Sequence, residues 1–164
     1  MLTDKYGAEI EALVGQSSTG PKRAALMPLL YLAQKEYGYL SLDALVEVGA
    51  LVGLNPTEVA SLAGFYALYH LHPGARRRIQ VCTDLPCALR GADRFAEELC
   101  ANLHIKLGET TADGEFTIEA VTCLAGCQNA PLFQVQDAEG VHYYESAPGR
   151  PMTAEWAVER LRQA

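Results

Sequence analysis

The chain has 164 residues, 49% of them apolar, with a formal net charge of −7. That is ample apolar content for a buried core in one domain or two small ones. The negative balance argues against nucleic acid and against anionic membrane surfaces, both of which would repel it. The longest apolar run, Ala24 to Ala33, is ten residues with Pro28 inside it, too short to cross a bilayer.

The amino-terminal Met1-Leu-Thr-Asp-Lys mixes acid and base and resembles neither a secretion signal nor a transit peptide, so a cytoplasmic location without membrane insertion is expected. Five cysteines, an odd count, in such a chain argue for metal binding or redox work and against a disulfide framework.

Tyr6, Ile10, Leu13 and Val14 recur at helical spacing and predict a helix over 3–14, broken by a loop from Gly15 to Pro21. Leu26, Leu29, Leu30, Ala33 and Tyr37 predict a second over 22–37, with Pro28 kinking its first turns and Gly38 ending it. A third follows its N-cap Ser41 and stops at Gly53. The strongest start signal comes next: Asn55 as N-cap, Pro56 at the first helical position and Glu58 placed to bond back. From there a helix is expected to about Leu71, with Val59, Leu62, Ala63, Tyr66 and Tyr69 along one side.

Composition shifts at Pro73-Gly74-Ala75, which predicts a helical region over 1–74 and a second domain over 75–164. There, a strand is expected at Ile79–Cys82, a helix at Ala88–His104 and a strand at Phe116–Thr122. A hairpin of Leu132–Gln136 with Val141–Glu145 follows, then a helix at Thr153–Arg162. The fold class is therefore α+β: a helical bundle followed by a β-α-β-β-β-α domain close to a thioredoxin-like layout.

Four cysteines form two close pairs at strand ends, Cys82 with Cys87 and Cys123 with Cys127, in the pattern C-x4-C, 35 residues, C-x3-C. Four thiolates there can converge on one site. The gaps permit zinc, although structural zinc sites favour shorter knuckles on ribbons. A cluster with two irons has a wider footprint, and longer, unequal loops suit it. No charged side chain lies between Val121 and Pro131, and small residues there let backbone N–H groups approach an anionic centre. A [2Fe–2S] cluster on Cys82, Cys87, Cys123 and Cys127, of low potential, is the natural reading.

The pattern, with Val81 before it, Gly91-Ala92 within it and Cys123-Leu-Ala-Gly-Cys127-Gln-Asn-Ala-Pro131 at its end, resembles the thioredoxin-like [2Fe–2S] subunit of respiratory complex I, NADH:quinone oxidoreductase. Arg23, Leu26-Met-Pro-Leu-Leu30, Gln34, Gly38, Pro56-Thr-Glu-Val59 and Phe65-Tyr66 extend the resemblance over about residues 20 to 145. It implies an electron-transfer subunit that exchanges single electrons with FMN on a larger NADH-binding partner, peripheral to the inner membrane through the complex. The same four cysteines would be the ligands by position, and Pro131 would be the cis-proline of thioredoxin-like folds. Ser146 to Pro151 departs from the family pattern.

The chain itself shows no G-x-G-x-x-G turn or P-loop for NADH, flavin or nucleotide, so it should not oxidise NADH alone. Equivalent subunits of NAD-linked hydrogenases or formate dehydrogenases are one alternative; a four-thiolate zinc module is another. A thiol–disulfide oxidoreductase would want C-x-x-C. An isolated chain could instead pair with itself, as a homodimer, through surfaces meant for the partner. Cys100 is expected as an inert core thiol, and His70, His72, His104 and His142 as surface or half-buried residues. Arg76–Arg78 would be a docking patch or a solvated strand edge, and Phe65, Tyr66 and Tyr69 core residues before interface ones.

Overall fold

The computed structural model describes residues 1–15 and 22–163; the loop expected up to Pro21 lies, beyond Gly15, outside the described residues. The chain divides into two compact units, Met1–Pro73 and Gly74–Ala164.

The first unit packs α1 (Leu2–Gly15), α2 (Leu26–Tyr37), α3 (Leu42–Val52) and α4 (Pro56–Phe65) around Leu26, Leu29, Leu30, Ala33, Val48 and Val59. Each start and stop has a local cause. Ser41 accepts from the Ala44 amide, Asn55 and Glu58 close a capping box, and Gly38 and Gly53 end their helices in the left-handed conformation. Pro28 does not bend α2. A 3₁₀ turn over Lys22–Ala25 precedes the α-helix, and Pro28 then occupies its first turn, where an N–H has no intrahelical partner to lose. Glu47 ties three helices, accepting from the Leu2 amide at 2.6 Å and the Tyr37 hydroxyl at 2.7 Å. That carboxylate pushes the Tyr37 phenol up to about 12.

The fourth helix ends at Phe65, six residues before the expected Leu71. Buried Gln34 supplies the reason: its amide donates to the Leu68 carbonyl at 2.8 Å and accepts from the His70 amide at 2.6 Å. Those backbone groups are thereby satisfied outside a helix. Tyr69 is core, with its hydroxyl on the Met27 carbonyl at 2.9 Å, whereas Phe65 is 81% exposed and Tyr66 40%, contrary to the core expectation for them. Gln34→Ala removes both bonds from a buried site and is expected to cost about 2–4 kcal/mol, read as a lower urea midpoint.

The second unit carries a four-stranded sheet in the order β2-β1-β3-β4, built from β1 (Arg77–Cys82), β2 (Phe116–Val121), β3 (Leu132–Gln136) and β4 (Val141–Glu145). β1 runs parallel to β2 and antiparallel to β3, and β3 pairs antiparallel with β4. Two helices follow β1: a four-residue turn, α5 (Leu85–Ala88), and then α6 (Ala92–Leu103). The helix expected over 88–104 starts late, at Ala92, with left-handed Gly91 at φ 88° as its N-cap, and the short α5 before it is not among the expected elements. Ile79, Val81, Ile118, Phe133 and Val135 face one core with Phe95 and Leu99 of α6 and with Ala157 and Leu161 of α7 (Ala154–Gln163).

Arg77 and Arg78 do not form a solvated edge, because β1 is a central strand, whereas Arg76, just before it, is 83% exposed in its side chain and 3.6 Å from Glu115. Arg77 pairs with Glu115 at 2.8 Å and Arg78 with Glu119, each from within the unit. Among the described residues, no helix is long and apolar enough to cross a membrane.

Candidate functional site

The end of β1 delivers the first pair of thiols. Cys82 is the last residue of the strand and is 1% exposed. The Thr83 amide still bonds to the Val121 carbonyl of β2 at 3.1 Å, and then the chain turns. Asp84 caps α5: its carboxylate accepts from the Leu85 amide, and its carbonyl accepts from the Cys87 amide at 2.8 Å. One helical turn thus returns Cys87 toward Cys82, at 0% exposure.

The end of β2 delivers the second pair through a less regular path. Cys123 and Ala125 both adopt left-handed backbone, φ 46° and 60°, a conformation that costs an L-residue roughly 1–2 kcal/mol. Cys127 opens a 3₁₀ turn through Asn129, and the Ala130–Pro131 peptide bond is cis. Gly126 is a close approach: a Cβ there would collide with the Tyr143 hydroxyl and lie 3.3 Å from Leu132 Cδ2.

Cys82, Cys87, Ala92 and Leu132 form a buried apolar nest, with Leu124, Cys127 and Ala130 packed on it. The Cys87 thiol is pushed up to about 12, first by burial and then by the neighbouring Cys82 and Cys127 thiols within hydrogen-bonding reach. Cys123 is exposed. Among the described residues, no group of three or more His, Cys, Asp or Glu side chains is spaced for a single metal ion. The histidines lie outside the nest. His70 is buried, beyond the half-buried state expected of it, and His104 ends α6 in the left-handed conformation. Cys100 packs in the other core, its thiol raised by burial.

Three contacts that brace the second loop have no signature in the sequence. Arg90, after α5, donates to the Gln128 carbonyl at 2.6 Å and so links the two cysteine segments. Ser146 is 6% exposed; its hydroxyl donates to the Pro131 carbonyl at 3.1 Å and accepts from the Met152 amide at 3.0 Å. The departure from the family pattern after Glu145 is thus tied back to the proline. Tyr143 of β4 donates to the Leu124 carbonyl at 2.7 Å. Burial, then Glu145 and the cysteine side chains, raise its phenol, which stays a donor at neutral pH.

A parallel β-α-β unit joined to an antiparallel hairpin, with a cis-proline entering the third strand and thiols at two strand ends, defines a thioredoxin-like protein bearing a clustered-thiol site. The sequence profile of the thioredoxin-like [2Fe-2S] ferredoxins matches residues 10–152, and the chain belongs to that family.

Its relatives agree. NADH-quinone oxidoreductase subunit 2 of Thermus thermophilus is 42% identical over 71% of this chain and 64% of its own length. A Rhizobium meliloti subunit of the same oxidoreductase is 41% identical over 79% of this chain and 76% of its own. The mitochondrial NADH dehydrogenase [ubiquinone] flavoprotein 2 of Dictyostelium discoideum is 35% identical over 83% of this chain and 56% of its own. The match thus spans under two thirds of the Thermus and Dictyostelium proteins. An NAD+-reducing [NiFe]-hydrogenase shares the fold over 82% of this chain and 23% of its own, with a TM-score of 0.57 at 23% identity.

Proposed function

We propose that this chain is the electron-transfer subunit of an NADH:quinone oxidoreductase, holding one [2Fe–2S] cluster on Cys82, Cys87, Cys123 and Cys127 and exchanging single electrons with FMN on a larger NADH-binding subunit. The observation that carries this is the gathering of Cys82, Cys87 and Cys127 around one apolar nest, with Cys123 on the loop that closes it. Four soft sulfur donors and no charged side chain from Val121 to Pro131 fit an iron–sulfur group. When bound, such a cluster accepts and returns one electron at a time, as a flavin receiving hydride as a pair requires.

The chain's own residues do the rest. Leu132 and Ala92 exclude water from the inner thiols, while Arg90 holds the two cysteine segments together. Beside the nest, Leu85 and Leu89 are 68% and 80% exposed on and just after α5. Two exposed leucines flanking buried Cys87 in sequence suit burial against a partner subunit. Such a partner would supply FMN and NADH and hold the chain peripheral to the membrane on the cytoplasmic side.

Absorption and EPR spectra of the purified protein before and after dithionite test this, with iron, sulfide and zinc assayed on the same sample. A brown protein with equal iron and sulfide, EPR-active only when reduced, is expected. Colourless protein with stoichiometric zinc, persisting after anaerobic reconstitution, would overturn the proposal in favour of a structural module.

A further inference from the structure

The loop between Cys123 and Cys127 is held from a strand that carries no cysteine. Tyr143 lies on β4 opposite Gln134, on the sheet face that also carries Cys82 and Leu132. Its hydroxyl donates to the Leu124 carbonyl at 2.7 Å, between the two left-handed residues Cys123 and Ala125. Backbone in that region does not hold itself for L-residues, so an outside contact on the intervening carbonyl is what fixes it.

Gly126 carries the second observation. Its φ is −117°, a value open to any residue, so conformational freedom does not explain a glycine there. Space does: a Cβ would collide with the Tyr143 hydroxyl and come within 3.4 Å of its Cζ. At 44% exposure, the tyrosine gains little from burying its ring, which leaves the hydroxyl as the reason for its placement.

We infer that Tyr143 is a positioning residue for the cluster site: its hydroxyl, gripping the Leu124 carbonyl from β4, sets the 123–127 backbone and so the direction of Cys123 and Cys127, and Gly126 is the glycine that makes room for it. The inference rests on the four-thiolate reading given above.

The test uses the full chain reconstituted with iron and sulfide. Tyr143→Phe removes one hydroxyl and keeps the ring; it should take up the cluster, show shifted g values on reduction, and lose iron to a chelator about fivefold faster, the factor for one net hydrogen bond. Gly126→Ala should shift the same spectrum by driving the phenol aside. In the Tyr143→Phe background the alanine should add less than it does alone, because the hydroxyl it collides with is gone and only the close contacts with Leu132 Cδ2 and the ring carbon remain.

A Tyr143→Phe protein with wild-type g values and iron-loss rate, changed only in its urea midpoint, would make the tyrosine merely structural and overturn the inference. Additive effects in the double variant would overturn it too. Either result leaves the cluster reading standing. Wild-type protein that takes up no [2Fe–2S] cluster would instead overturn that reading, and the inference with it.

Discussion

Cys123→Ala is expected to yield a folded protein that cannot hold the cluster. Cys123 is exposed, and its side chain lies outside both buried cores of the sheet unit. Replacing it should change stability by no more than about 0.5 kcal/mol, the ordinary range for surface sites. Loss of one of four thiolates should nevertheless lower affinity by more than the roughly 10–100-fold typical of residues that only orient ligands. Cys87→Ala makes the contrasting case. Its sulfur is fully buried beside Cys82, Ala92 and Leu132, so deleting it also leaves a gap, expected to cost about 1 kcal/mol. Both variants should lack the reduced EPR signal, while only Cys87→Ala lowers the urea midpoint. Cys100→Ala, altered in the other core, should keep the signal. A Cys123→Ala protein retaining wild-type iron and spectrum would remove that residue from the ligand set.

What was legible in the sequence was local. Ser41, Asn55 with Glu58, Gly38 and Gly53 act on backbone groups within four residues of themselves, so caps and helix ends could be read where they stand. The hairpin followed from alternation on both sides of the Asp137–Gly140 turn, and β3 and β4 have the expected limits. That Cys82 ends a strand and that Cys87 lies one turn beyond it could be read because spacing is itself a sequence property. Features set by distant partners could not. The early end of α4 is written by Gln34, on another helix. Arg77 and Arg78 look like a surface run until the fold places Glu115 and Glu119 beside them. Tyr143 reads as an ordinary strand tyrosine until the fold brings Leu124 to its hydroxyl.

Phe133→Ala should be the most destabilising single change in the sheet unit. Phe133 is 0% exposed and stacks between Phe95 of α6, with ring centroids 5.9 Å apart, and Tyr144 of β4, at 4.8 Å. Its backbone pairs with Val81 on one side and Tyr144 on the other, so one residue joins three strands to a helix. Truncating such a phenylalanine costs about 3–5 kcal/mol, transfer and cavity together. That is a large fraction of the roughly 5–15 kcal/mol a folded protein of this kind has to lose. The consequence should reach the cysteines, because Leu132, the preceding residue, lines their nest. Iron loss to a chelator is therefore expected to rise with the population of unfolded sheet unit, and to fall as urea is withdrawn. Phe133→Leu keeps most of the volume and should recover more than half of the lost stability and the slower iron loss with it. A Phe133→Ala protein less than about 1 kcal/mol destabilised would mean that the core closes over the gap. The coupling between this aromatic stack and the thiol nest would then have to run through the β3 backbone alone.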